Sequence, residues 1–389
     1  MIPRFIQQNV VTALSELKKV VVIVGPRQAG KTTLLKSLKG IFESNDKKVT
    51  YLNCDLSEDL EKIDTNSLNL LSHLVQGTDY LFIDEAQRMD NPGLTLKIIH
   101  DNFSKVRVIA TGSSSFELKN KISDALTGRY VDFHLLPLSL TEISTYENST
   151  APQSLTSDLM LYGGYPEIYL QKQPNLRQIL LEKITQSYLF KDILAFSRIR
   201  HSEALINLAR ALAYQIGSEL NENELANRLK IDRKTVLSYL DILEQSFVIH
   251  RLYPYSQNPR REIGRKYKIY FVDLGIRNSL IGDFNSLNIR GDTGALWENF
   301  LIMERRKSLH SSSELPPQTY FWRSYNGSEV DYLEISGGVI SPWEFKYNSS
   351  TPLSAGAKVF EKSYHTKIKR VDSKNYLDSF LTSYTKISD

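Results

Sequence analysis

The chain has 389 residues, 41% apolar and 24% charged, enough for two to four domains with sizeable cores. Its 48 basic and 44 acidic residues leave a net charge of +4, too mild to mark a nucleic-acid binder, and the single cysteine, Cys54, excludes an internal disulfide framework or a cysteine-based zinc site. No window reaches the roughly 20 apolar residues of a transmembrane helix, and the opening MIPRFIQQNVVTALSELKKV lacks the basic segment and apolar run of a signal peptide, so a cytoplasmic protein with no membrane partner is expected.

Lys19–Val24 (KVVVIV) is a β-branched apolar run, the pattern of a strand buried on both faces. GPRQAGKTT follows, and TLLKSLKG then reads as a helix ending at Gly40. Further strands are expected at Lys48–Leu52, Tyr80–Ile83, Val106–Ala110 and Val131–Leu136. A helix starts at Pro92, a residue suited to the first helical position, with Asn91 as its cap. Strands alternating with helices over this stretch give a parallel sheet covered on both faces. The polar segment Glu147–Asp158 reads as a linker, and helical periodicity continues to Ser218. Residues 222–273 read as two helices and a basic hairpin, and the remainder mixes one helix with short alternating strands.

Gly25-Pro26-Arg27-Gln28-Ala29-Gly30-Lys31-Thr32 matches G-x-x-x-x-G-K-[ST] at every fixed position, between a strand and a helix. Small residues let backbone N–H groups curl around phosphate, and the helix N-terminus adds favourable partial charge. Residues Gly25 to Thr33 are therefore the expected ATP-binding set: Lys31 pairs with the β- and γ-phosphates, and Thr32 ligates Mg²⁺. Arg27 is as well suited to solvent as to phosphate. Tyr80-Leu81-Phe82-Ile83 ends in Asp84 and Glu85. Asp84 is the expected Mg²⁺ holder, and Glu85 the residue that polarises attacking water. Thr111-Gly112-Ser113-Ser114-Ser115 closes the next strand, with Ser113 as the γ-phosphate contact.

GPRQAGKTT, FIDEAQ, TGSSS, ALTGR and LLPLS, followed by GGYPE at Gly163–Glu167, occur in this order. Together they resemble the bacterial and archaeal AAA-type ATPases related to the archaeal ATPase family, over most of residues 15–350. The resemblance implies a C-terminal domain of poorly defined role. It also implies that Arg129 is an arginine finger reaching a neighbour's γ-phosphate, so that sites are shared in a homo-oligomer such as a hexameric ring. By itself Arg129 reads equally as a structural arginine. The resemblance further suggests Arg4 on the adenine side, which is not counted among the expected site residues.

Asn221–Leu229 reads as a capped short helix, and Arg233–Glu244 as a second helix burying Val236, Leu240 and Leu243. Arg233, Lys234, Ser238 and Tyr239 are left facing out, as in the second helix of a helix-turn-helix entering a major groove. The hairpin, turning at Asn258-Pro259, carries Arg251, Arg260, Arg261, Arg265, Lys266 and Lys268. A winged helix with DNA contacts at Arg233, Lys234, Tyr239, Arg260, Arg261 and Lys266 follows, with wing cations on phosphates. Such modules also serve as protein–protein spacers.

Gly294–Arg305 is an amphipathic helix displaying Glu298. A hairpin turning at Asn326-Gly327 brings Asp331, and a later strand brings Glu344 and Lys346 to one face. Glu298, Asp331 and Glu344 can then ligate a divalent metal, with Lys346 orienting water. This order resembles the PD-(D/E)xK nuclease family, with Val330 where that signature has proline. Lys358 and Lys362 on the final helix are candidate phosphate contacts. A non-cutting DNA-binding scaffold and a surface salt-bridge pair remain open as readings.

The expected fold class is α/β: an AAA-type P-loop core (1–146), a helical connector (147–218), a winged helix-turn-helix (219–275) and a nuclease-like α/β domain (276–389). The expected function is a Mg²⁺-dependent ATPase coupled to binding and remodelling or processing of DNA, branched DNA included. The alternative is an ATP-dependent signalling or regulatory switch that engages a protein partner through the same winged module, with an inactive nuclease-like scaffold.

Overall fold

The computed structural model describes residues 2–112, 121–122, 124–149, 152–187, 202–256, 266–312, 315–324 and 327–381. The chain divides into two compact units, residues 1–138 with 245–247, and residues 139–244 with 248–389.

The first unit opens with α1 (Ile6–Thr12) and then β1 (Val20–Val24), every residue of which is buried. It continues through α2 (Lys31–Glu43), β2 (Val49–Asn53), α3 (Ser57–Ile63), α4 (Leu68–Val75) and β3 (Tyr80–Asp84). Next come α5 (Pro92–Asn102), β4 (Arg107–Gly112) and β5 (Tyr130–His134). All five strands are parallel in the order β2-β3-β4-β1-β5, as the strand–helix alternation requires. Pro92 takes the first turn of α5, and Asn91 accepts from Leu94 N, as expected. One boundary differs: α2 does not stop at Gly40. Leu34, Leu35, Leu38 and Phe42 form one buried stripe in the core around Val21, Ile23, Phe82 and Ile109, and that stripe carries the helix past Gly40.

The order matters for the site. β1 pairs with β4 (Ile23↔Thr111, Val24↔Gly112) and β4 pairs with β3 (Ile83↔Ala110). The C-terminal ends of β1, β4 and β3 therefore lie side by side, where an open α/β sheet takes its ligand. Gly25 leaves β1 so close to β5 that a Cβ there would meet Leu135 O at 2.1 Å, which is why glycine opens the loop.

Among the described residues the second unit begins with helices α6 (Leu140–Glu147), α7 (Gln153–Tyr162), α8 (Pro166–Leu170), α9 (Pro174–Thr185), α10 (Ser202–Tyr214) and α11 (Glu222–Leu229). The expected linker is mostly helical. Ser139 and Glu142 form a capping box at the start of α6, and α7 begins at Gln153. After α12 (Arg233–Gln245), strands β6 (Ile249–Leu252) and β7 (Lys268–Phe271) form an antiparallel ribbon. Then come α13 (Leu274–Ile281), α14 (Thr293–Ser311), β8 (Gln318–Arg323), β9 (Glu329–Ser336), β10 (Val339–Lys346), α15 (Ala355–Tyr364) and β11 (Lys369–Asp372). The sheet order is β11-β10-β9-β8, antiparallel except for β10 with β11. Tyr255 N donates to Phe321 O (2.6 Å) and Phe321 N to Tyr253 O (3.0 Å), so the segment after β6 hydrogen-bonds to β8 across the expected boundary at 275. Among the described residues no helix is long and apolar enough to cross a membrane.

Candidate functional site

The loop between β1 and α2 is built from alternating backbone hands. Gln28 has φ +61° and Gly30 φ +100°, the left-handed steps that turn successive N–H groups toward one centre. Lys31, 4% exposed, is folded over the loop and donates from Nζ to Gly25 O (2.9 Å) and Pro26 O (3.0 Å). Burial lowers its pKa to about 8, against the opposing pull of Glu85 and Asp84. Thr32 is half-buried beside it and Thr33 is exposed. Arg4 braces the loop from outside, donating to Ala29 O at 2.6 Å and to Leu136 O.

Asp84 is buried at the end of β3, with both carboxylate oxygens oriented by hydroxyls. Thr111 Oγ1 donates to Oδ1 at 2.5 Å, and Tyr51 OH donates to Oδ2 at 2.8 Å. Thr111 Oγ1 also accepts from Glu85 N at 3.1 Å, tying the strand ends together. Glu85 sits at φ +54° and its carboxylate accepts from Gln87. The backbone after it is held by Lys121, which donates to Gln87 O (2.9 Å) and Met89 O (2.7 Å). Lys31, Thr32, Asp84, Glu85 and Thr111 thus gather at one sheet edge, while Ser113 lies outside the described residues. Tyr51 and Lys121 were not anticipated. Tyr51 reaches Asp84 because β2 pairs with β3 (Tyr51↔Phe82), a neighbour relation that no local pattern announces.

Arg129 lies at the opposite, N-terminal edge, where its carbonyl accepts from Val20 N. Its Nε donates to Asp101 at 2.8 Å, and this bond, with a second from His100, holds the Asp101 carboxyl down at about 2. Arg129 therefore has no place at the phosphate site of its own chain.

In the second unit, Arg233, Lys234 and Lys266 are exposed, and Arg233 pairs with Glu222. Tyr239 does not face out: it is 5% exposed, because it lies three residues after Val236 on the same buried stripe. Two hairpin cations are also turned inward. Arg251 donates to Asp241 (2.7 Å) and Glu244 (2.6 Å), and Lys268 is buried. Arg260, Arg261, Arg265 and the Asn258-Pro259 turn lie outside the described residues, as does Asn326.

Glu298 on α14, Asp331 on β9, and Glu344 with Lys346 on β10 follow the expected helix–hairpin–strand order. Lys346 Nζ pairs with Glu344 at 2.9 Å, confirming their shared face. Among the described residues no three His, Cys, Asp or Glu side chains are grouped so as to hold a metal ion by themselves. Lys268 lies within this cluster instead, 3.0 Å from Glu298 and also paired with Glu329. Burial, then the Glu298 charge, pushes Asp331 up to about 7.

The comparisons agree with the P-loop fold of the first unit. Residues 17–144 match a family model described as an AAA domain. Residues 153–287 and 293–378 match two domains of unknown function, DUF8612 and DUF4143. An uncharacterized protein of Mycobacterium tuberculosis is 29% identical over 341 residues, 86% of this chain and 71% of that one. One of Methanocaldococcus jannaschii is 26% identical over 334 residues, 81% and 72% respectively. A Walker-type ATPase of Pyrococcus abyssi shares the fold at 15% identity and TM-score 0.50, covering 72% of this chain and 96% of that one. Residues 17–144 thus carry an AAA-type P-loop domain.

Proposed function

We propose that the protein hydrolyses ATP with Mg²⁺ and uses the cycle to bind and remodel DNA through its second unit. The observation that carries the first part is the convergence of Lys31, Thr32, Asp84 and Glu85 at one sheet edge, with Asp84 oriented by Thr111 and Tyr51. Thr32 and Asp84 would hold Mg²⁺, whose charge offsets that of the phosphates. Lys31, freed from the loop carbonyls, would turn to the γ-phosphate, and Glu85 would orient water. Because Arg129 sits at the far edge of its own sheet, a finger role would require a second copy of the chain, in a homo-oligomer such as the hexameric ring that the resemblance implies.

The DNA part rests on exposed Arg228, Lys230, Arg233, Lys234 and Lys266 around the α11–α12 turn and the base of the ribbon. Cations so placed would contact phosphates, with affinity that falls as salt rises. One observation favours the alternative, a regulatory switch with a protein partner: Arg251, Lys268 and Tyr239 are turned into the fold.

The experiment is steady-state ATP hydrolysis with and without single-stranded, duplex and branched DNA, with Lys31→Ala as the blank. Stimulation by one DNA form that fades with salt supports the proposal. Basal turnover that no DNA changes moves the assignment to the switch. Undiminished turnover in Lys31→Ala refutes the site itself.

A further inference from the structure

Glu298, Asp331 and Glu344 come from a helix and two adjacent strands, the sources a divalent-cation site of the nuclease kind would draw on. A metal of that class needs several carboxylate oxygens with free lone pairs turned to one point. Here the protein's own donors already engage one oxygen of Glu298, one of Asp331 and both of Glu344. Glu298 Oε1 accepts from Lys268 Nζ at 3.0 Å and from Tyr270 OH at 2.6 Å. Asp331 Oδ2 accepts from Phe345 N at 2.7 Å. Glu344 Oε1 accepts from Ser354 N at 2.9 Å and pairs with Lys346 at the same distance, while its Oε2 accepts from Ser354 Oγ at 3.1 Å.

Lys268 belongs to none of the elements the motif names. It comes from β7, its side chain is 2% exposed, and its ammonium bridges Glu298 on α14 and Glu329 on β9. The Phe321 ring faces it at 5.4 Å. An ammonium so enclosed cannot leave without unpairing two partly buried carboxylates, and a divalent ion beside it meets its repulsion.

We infer that Lys268 takes, with its own charge, the place of the divalent cation this carboxylate set would otherwise require. The C-terminal sheet is then a metal-free scaffold in which the Lys268 ion pairs tie the β6–β7 ribbon to α14 and β9. The motif is legible in the chain, but its cation is built in. This inference concerns the second unit alone and stands whether or not that unit contacts DNA.

The test is Mn²⁺ uptake by the full chain without nucleotide, followed by the electron paramagnetic resonance signal of free Mn²⁺. An Asp84→Asn background keeps the ATPase site from contributing. Asp84→Asn and Asp84→Asn/Asp331→Asn are expected to behave alike, with no saturable uptake up to millimolar Mn²⁺. Adding Lys268→Met is expected to create one saturable site, which Asp331→Asn then removes. Uptake in the Asp84→Asn chain that Asp331→Asn abolishes would overturn the inference, as would a folded Lys268→Met chain that takes up no Mn²⁺. If Lys268→Met melts early, Mn²⁺ is expected to raise its melting temperature and to leave that of the parent unchanged; equal shifts in both would again refute the substitution of charge for metal.

Discussion

Replacing Tyr51 by phenylalanine removes one atom, the hydroxyl that donates to Asp84 Oδ2 at 2.8 Å. The ring keeps its place on β2, so the sheet is undisturbed and the change is confined to the carboxylate that would hold Mg²⁺. Tyr51 is partly exposed, and water can partly replace its hydroxyl. A hydrogen bond to a charged group contributes about 1.5–3 kcal/mol, so a loss of about 1 kcal/mol is the reasoned figure for this half-wet position. At 1.36 kcal/mol per tenfold, that is about a fivefold fall in Mg²⁺-dependent affinity. The assay is binding of a fluorescent ATP analogue with Mg²⁺ and with a chelator, in both chains. The Mg²⁺-dependent gain is expected to shrink in Tyr51→Phe while chelator-only affinity stays within about twofold, the ring being retained. An unchanged gain would refute the role assigned to Tyr51. Equal loss in both conditions would mean that the hydroxyl serves the fold rather than the metal.

Burial lowers the Lys31 pKa to about 8, whereas phosphates favour its charged form. ATP affinity should therefore fall as pH rises from 8 to 9, with proton uptake on binding, checked by calorimetry at pH 8.5 in buffers of different ionisation enthalpy; absence of uptake contradicts the burial argument. Gly163→Ala places a Cβ 2.0 Å from Asp273 Oδ1 at φ +74°. It also disturbs the carboxylate that accepts from Gly164 N and Ile276 N, so a loss of about 3 kcal/mol in denaturant unfolding is expected; an unchanged midpoint would count against it. Arg129→Ala should leave nucleotide binding intact and slow turnover, and mixing it with Glu85→Gln should restore activity if sites are shared. No recovery on mixing leaves Arg129 as a partner of Asp101 only.

What could be read from the chain was what the chain holds contiguously. The strand, the loop and the start of α2 occupy thirteen consecutive residues from Val20 to Thr32, so their mutual geometry is set by local backbone chemistry. Asp84 was legible for a similar reason: four apolar residues deliver it to a strand end. Tyr51 and Lys121 act on the same site through contacts 33 and 34 residues apart, which only the tertiary fold creates. Tyr239 was misplaced because polarity of the side chain was read before helical phase. At i+3 from Val236 it shares the buried stripe, whatever its hydroxyl suggests.

The two carboxylate sites also differ in a way that motif spacing cannot express. At Asp84 the orienting donors are hydroxyls, Thr111 and Tyr51, which fix the oxygens without cancelling their charge. The nearby ammonium of Lys31 is spoken for by the loop carbonyls. The negative charge therefore remains available to a cation. At Glu298 one hydroxyl, Tyr270, is joined by the ammonium of Lys268, and at Glu344 by that of Lys346, so charge is neutralised within the fold. A carboxylate triad and a carboxylate–ammonium lattice can share the same D…ExK spacing. What separates them is whether the donors that hold the carboxylates are neutral or charged, and the decisive donor here arrives from β7, outside the motif and 30 residues before Glu298.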